Sequence, residues 1–200
     1  MLYIAHRINT IEELKSVPLE FGVELDLRDN GNQIIIQHDP FKAGTNFEEY
    51  LKSYNHELMI CNVKSERIEN RVKELLSKFN IHKYFFLDSS FPMIIQLSNQ
   101  LEKNIAVRFS EFETIETVLS LSGKIDWVWV DCFTKFPLDN KTYNILKSNG
   151  FKLCLVSPEL QGRKEDIELF KNIIINENII FDAICTKLSN IPIWKGESDA

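Results

Sequence analysis

The chain has 200 residues, a length that lets one domain bury a large single core. With 44% hydrophobic and 26% charged residues it has the composition of a water-soluble globular protein, and no run of 18 apolar residues suggests a transmembrane helix. A formal net charge of −6, with both signs scattered, argues against a basic nucleic-acid groove.

The first residues, Met-Leu-Tyr-Ile-Ala-His, lack a basic region, a long apolar region and a cleavage site. They read as a strand and not as a signal peptide. From there strand-like and helix-like segments alternate. Strand 2–5 precedes helix 10–16, and strand 22–27 with an extended stretch 34–37 precedes helix 47–53. Strands 58–63, 84–87, 105–109, 127–130 and 152–156 are followed by helices 66–79, 91–102, 113–121, 141–148 and 165–176. Strand 181–185 is the last. Helix 66–79 has the clearest period, with Ile68, Val72, Leu75, Leu76 and Phe79 on one face. Asn149-Gly150 is a helix-stop signal after 141–148. Trp127 and Trp129 share one face of their strand, by default as core.

Eight strands alternating with helices imply parallel βαβ crossovers. The expected architecture is α/β, a compact (β/α)8 TIM barrel, smaller than the typical ~250 residues. An open doubly wound sheet is the alternative, but no Gly-rich phosphate loop follows the first strand. No Pro/Gly/Ser-rich linker divides the chain, so residues 1–200 are expected to form one domain. Cys61, Cys132, Cys154 and Cys185 each lie in or beside an apolar run without CxxC spacing. They read as buried reduced thiols, which implies the cytoplasm.

Barrel enzymes place their sites at the C-terminal strand ends. Here those ends are crowded with ionisable residues: His6 and Arg7, then Glu24, Asp26 and Arg28, with His38 and Asp39 in the next loop. Asn62 and Lys64, Asp88, Arg108, Asp131, Glu159 and Lys187 follow in turn. Glu24 and Asp26 are two apart on a strand, so both point to one face and can share a hard cation. Two carboxylates in an otherwise apolar strand are costly unless paired or metal-bound. Imidazoles such as His6 and His38 can take and give protons near neutral pH.

His6-Arg7, Glu24-x-Asp26, His38-Asp39-Pro40 and Asn62-x-Lys64 resemble the ordered motifs of glycerophosphodiester phosphodiesterases and of related phospholipase C-like barrels. The resemblance is specific over residues 4–64 and weaker beyond, at Leu87-Asp88 and at Phe181 to Thr186. It implies His6 and His38 as the acid/base pair. It also implies Glu24, Asp26 and Asn62 as ligands of a divalent cation, Mg²⁺ or Ca²⁺. Arg7 and Lys64 would contact the phosphate, and Arg108 and Lys187 would add positive charge at the rim. Three positions depart from the family pattern. Ile8 stands where the family has glycine, Asn62 replaces a carboxylate, and Lys187 follows Thr186 where an aspartate is usual. An amide oxygen is a legitimate ligand but brings no charge, and Asp39, Glu66 or Asp88 could compensate.

The expected function is metal-dependent cleavage of a small soluble phosphodiester, of glycerophosphodiester or nucleotide-activated polyol type. Nucleic-acid partners and stable membrane association are not expected, and the oligomeric state is open. One alternative is a degenerate member that binds a phosphorylated ligand without turnover. Another is a different phosphate-handling barrel, such as an isomerase or a Schiff-base aldolase using a rim lysine.

Overall fold

The computed structural model describes residues 1–196. The ten strands are β1 (Leu2–Ala5), β2 (Gly22–Asn30), β3 (Gln33–Ile36), β4 (Thr45–Asn46), β5 (Met59–Val63), β6 (Tyr84–Leu87), β7 (Ala106–Phe109), β8 (Trp127–Val130), β9 (Lys152–Val156) and β10 (Ala183–Thr186). The helices are α1 (Ile11–Ser16), α2 (Phe47–Leu51), α3 (Glu69–Lys78), α4 (Phe91–Asn99), α5 (Ile115–Leu119), α6 (Asn140–Ser148), α7 (Ile167–Asn176) and α8 (Ile191–Lys195).

Eight strands form a parallel ring in the order β1-β2-β5-β6-β7-β8-β9-β10, and β10 pairs back to β1. One helix follows each of these strands, which makes a (β/α)8 barrel. The ring is uneven. β7–β8 and β8–β9 each share four register pairs, whereas β6 and β7 meet at the single bridge Phe86–Ile105.

Register sorts the side chains, because residues paired across neighbouring strands face the same side. Ile4, Gly22, Glu24, Asp26, Ile60, Asn62, Phe85, Leu87, Ala106, Arg108, Trp127, Trp129, Cys154 and Cys185 fall on the lumen face. The lumen floor is apolar and packed. Trp127 stacks on Phe85 with ring centroids 4.6 Å apart, across the small Ala106 of the strand between them. Both indoles of β8 are therefore core. Gly22 leaves room in this layer: a Cβ there would stand 2.7 Å from the Leu58 carbonyl oxygen and would collide with the Ile4 side chain.

Local signals set several boundaries. Thr10 caps α1 in a reciprocal capping box with Glu13. Gly150, at φ 84°, follows α6 in the left-handed conformation that glycine tolerates. Three features differ from the sequence expectation. β2 runs on to Asn30 and pairs antiparallel with β3, so the 34–37 stretch is one arm of a hairpin. Helices α3, α4 and α5 are shorter than their periodic stretches. α4 stops before Leu101, whose positive φ cannot continue a helix. The last helix, α8, is five residues long and opens with Pro192 in its first turn, too short for periodicity to reveal.

Candidate active site

The site is built on the ends of β1, β2 and β5. β1 ends at Ala5, and the His6 amide still donates to the Thr186 carbonyl of β10 at 2.8 Å. The chain then turns sharply at Arg7, which adopts φ 58°. A non-glycine residue pays for that conformation with roughly 1–3 kcal/mol of strain. The turn aims the Arg7 amide at Glu24 Oε2, 2.7 Å away, and the Ile8 amide at the Glu24 carbonyl, 2.8 Å away. Position 8 needs no glycine because the left-handed residue is Arg7. Ile8 is buried instead, and its carbonyl accepts from Tyr50 Oη at 2.9 Å.

Glu24 and Asp26 stand side by side, each 1% exposed. Glu24 Oε1 accepts from Asn62 Nδ2 at 2.8 Å. His6 Nε2 lies 3.6 Å from Glu24 Oε2. Asp26 Oδ2 accepts from Asn9 Nδ2 at 2.9 Å, and the Asp26 amide donates back to Asn9 Oδ1 at 3.0 Å. The cations stay further off: Arg7 Nε is 3.5 Å and Lys64 Nζ 3.7 Å from Asp26. Burial, then the Asp26 charge, push Glu24 above the usual carboxylate range. Burial, reinforced by Arg7, lowers His6 to about 4 against the opposing pull of Asp26 and Glu159. His6 is therefore a neutral imidazole at neutral pH.

This donor set fits a hard cation. Asn62 is the register partner of Asp26, and its Oδ1 is buried without a hydrogen-bond partner. An orphaned amide oxygen beside two carboxylates matches the oxygen ligands of Mg²⁺ or Ca²⁺. Among the described residues no group of three His, Cys, Asp or Glu side chains is placed to hold a metal ion. The charge comes from Glu24 and Asp26 alone. Asp39, Glu66 and Asp88 have other partners: Lys42 and His38, Ser90, and Lys64 with Arg108.

His38 stands on the loop after β3 with its ring partly exposed. Its Nδ1 is 2.8 Å from Asp39 Oδ1. Hydrogen bonds from Lys42 and then His38 lower the Asp39 carboxyl to about 2, so the carboxylate favours the His38 tautomer with hydrogen on Nδ1. Arg28 locks the backbone beneath. It donates to the His38 carbonyl through Nε and Nη2 and to the Lys64 carbonyl through Nη1. Arg108 is engaged by Asp88, Asp131 and Glu113. The Lys187 side chain is exposed, and its amide donates to Glu159 Oε1 at 3.0 Å. Glu159 also accepts from the Ser157 and Thr186 hydroxyls.

Sequence reasoning missed the role of Asn9 and saw Arg28 and Glu159 only as rim charges. The signal for Asn9 was its place between the His6-Arg7 pair and the helix cap at Thr10. The partners of Glu159 were not legible, since they are Ser157 just past β9, Thr186 at the end of β10 and the Lys187 amide after it.

No family model matches the chain, and no curated protein matches it. Solved structures do. A candidate glycerophosphodiester phosphodiesterase from Galdieria sulphuraria superposes with a TM-score of 0.70 at 14% identity, over 99% of this chain and 98% of that one. This chain has the glycerophosphodiester phosphodiesterase fold. A glycerophosphodiester phosphodiesterase from Agrobacterium tumefaciens superposes with a TM-score of 0.62 at 10% identity, over 92% of this chain and 96% of that one. The glycerophosphodiester phosphodiesterase fold thus spans nearly the whole chain, and among the described residues no helix is long and apolar enough to cross a membrane.

Proposed function

We propose that this chain is a divergent glycerophosphodiester phosphodiesterase that cleaves a phosphodiester with a polyol on one side. The observation that carries the reading is His6 3.6 Å from the buried Glu24–Asp26 pair, with the orphaned Asn62 oxygen next to them. Glu24, Asp26 and Asn62 would hold Mg²⁺ or Ca²⁺, which when bound polarises the phosphoryl group and offsets its developing charge. Arg7 and Lys64, only loosely paired with Asp26, are free to turn toward phosphate oxygens. His6 accepts the proton of the attacking hydroxyl through its neutral ring, and His38, its Nδ1–H held by Asp39, acts as the imidazolium and delivers the Nε2 proton to the leaving oxygen. The four buried free thiols suit a reducing cytoplasm.

A phosphorus NMR time course with glycerophosphodiesters and nucleotide-activated polyols tests this. Monoester or cyclic phosphate is expected with Mg²⁺ or Ca²⁺ and not with chelator. The uncharged Asn62 favours one rival reading, a binder without turnover. Thermal stabilisation by these compounds with no new phosphorus signal would establish the binder instead.

A further inference from the structure

We propose that the polyol of the substrate carries a second phosphate, a phosphomonoester, and that Lys187 at the end of β10 binds it. The proposal rests on the phosphodiesterase reading and names a substituent which that reading leaves open.

Register sets the direction of Lys187. β1 and β10 pair in parallel as far as Ala5 and Thr186, and the His6 amide adds a further bond to the Thr186 carbonyl. Ile4 and Cys185 face the lumen, so the next residues on that face, His6 and Lys187, stand side by side at the mouth. Lys187 keeps an extended backbone, at φ −63° and ψ 140°, so the alternation holds as far as its side chain. β10 and β2 flank β1 on opposite sides, which puts Lys187 across His6 from the Glu24–Asp26 pair.

The backbone at this point is fixed. The Lys187 amide and the Thr186 hydroxyl both donate to Oε1 of Glu159, a carboxylate only 6% exposed. The Ser157 hydroxyl donates to its Oε2 and itself accepts from Trp194 Nε1 at 2.8 Å. Glu159 thus spends its oxygens on uncharged donors and makes no ion pair with the Lys187 ammonium.

Partners sort the cations at the strand ends around the mouth. Arg7 and Lys64 lie beside Asp26, Arg28 holds the His38 and Lys64 carbonyls, and Arg108 is engaged by Asp88, Asp131 and Glu113. Of this set, Lys187 alone has a side chain with no partner among the described residues, and it is exposed. Local structure does not call for lysine here. Lys187 is the N-cap of the turn Leu188–Asn190, a place that favours Ser, Thr, Asp or Asn, and no side chain caps that turn. An unpaired cation beside His6 suits an anion on the alcohol whose hydroxyl His6 deprotonates, which is the polyol. A phosphomonoester fits best, with roughly two negative charges near neutral pH and three acceptor oxygens for the ammonium donors.

The test uses two diesters of glycerol that differ at one carbon. Both carry a methyl phosphodiester at one terminal carbon, and the other terminal carbon bears a hydroxyl or a phosphomonoester. With Mg²⁺, kcat/KM is expected to be about tenfold higher for the phosphorylated diester. In Lys187→Met that ratio should collapse toward one, and Lys187→Arg should keep most of it. Binding is read without turnover by NMR titration with glycerol bisphosphate and glycerol monophosphate, using the Lys187 side chain as the probe. Tighter binding of the bisphosphate, lost in Lys187→Met, supports the subsite, and if no diester is then cleaved, only the phosphodiesterase reading fails. Turnover of both diesters at equal kcat/KM, with both ligands bound equally, overturns the subsite alone. A preference that Lys187→Met leaves intact overturns it as well, and so does a carboxylate accepted more readily than the phosphomonoester at the same carbon.

Discussion

Asn62 is the residue on which metal affinity turns. It offers an oxygen where a charge would bind more tightly, so Asn62→Asp should raise affinity for Mg²⁺ or Ca²⁺ about tenfold or more, read by calorimetry. An affinity that stays put would remove Asn62 from the ligand set. Glu24→Gln should abolish the metal-induced rise in Tm and the turnover, while leaving the circular dichroism spectrum intact. His6→Ala and His38→Ala should each lower kcat by about 10²–10⁴, the scale of a lost general acid or base. An effect confined to KM would make either one a binding group. Their surroundings differ. His6 is held by the barrel and its ring is partly buried, whereas His38 depends on Arg28 gripping its carbonyl. Arg28→Lys loses the forked grip and should lower kcat more than it raises KM.

At the scale of elements, the joint between α3, β6 and the approach to β7 depends on Glu102. Its carboxylate accepts from Tyr84 Oη at 3.0 Å and from the Asn104 amide at 3.0 Å, and it lies 3.1 Å from Lys73 Nζ. Burial works against the charge, yet the Asn104 amide, Lys73 and Tyr84 hold its pKa below the ordinary 4.5. A carboxyl depressed on folding contributes stability that is present above its unfolded pKa and lost as pH falls through the folded one. Glu102→Gln should therefore cost roughly 1–3 kcal/mol near neutral pH and flatten the acid limb below about pH 4.5, measured by urea titration. An unchanged acid limb would place the acid sensitivity elsewhere. Gly22→Ala probes the lumen in the same way. The added methyl meets Ile4 and the Leu58 carbonyl, an overpacking expected to cost about 1–3 kcal/mol.

On the scale of the whole molecule, the barrel has a strong side and a weak seam. β2 is hydrogen-bonded to β1, β3 and β5, while β6 and β7 share one bridge. Amide exchange should follow that division, with slow exchange in β1, β2, β5 and β10 and faster exchange for the β6 and β7 amides that face the seam. Equal protection all round the ring would show that the seam closes in solution. The carboxylates that need rigid placement lie on the strong side.

The alternation of apolar strand runs with helical periods made the barrel legible, because parallel strands buried on both faces advertise themselves as short β-branched and aromatic stretches. The first half of the site was legible for a related reason. His6, Glu24, Asp26 and Asn62 sit at strand ends, and the period of two puts Glu24 and Asp26 on one face whatever the rest of the chain does. Folding in three dimensions added what no local pattern encodes. Arg7 takes the left-handed turn that glycine would mark, Asn9 crosses to Asp26, and Glu159 gathers donors from β10 and from the loops after β9 and β10. The β6–β7 seam belongs to the same class, since it arises from two strands that pair at a single bridge. A strand's sequence carries its faces, and only the closed ring sets which edges stay apart.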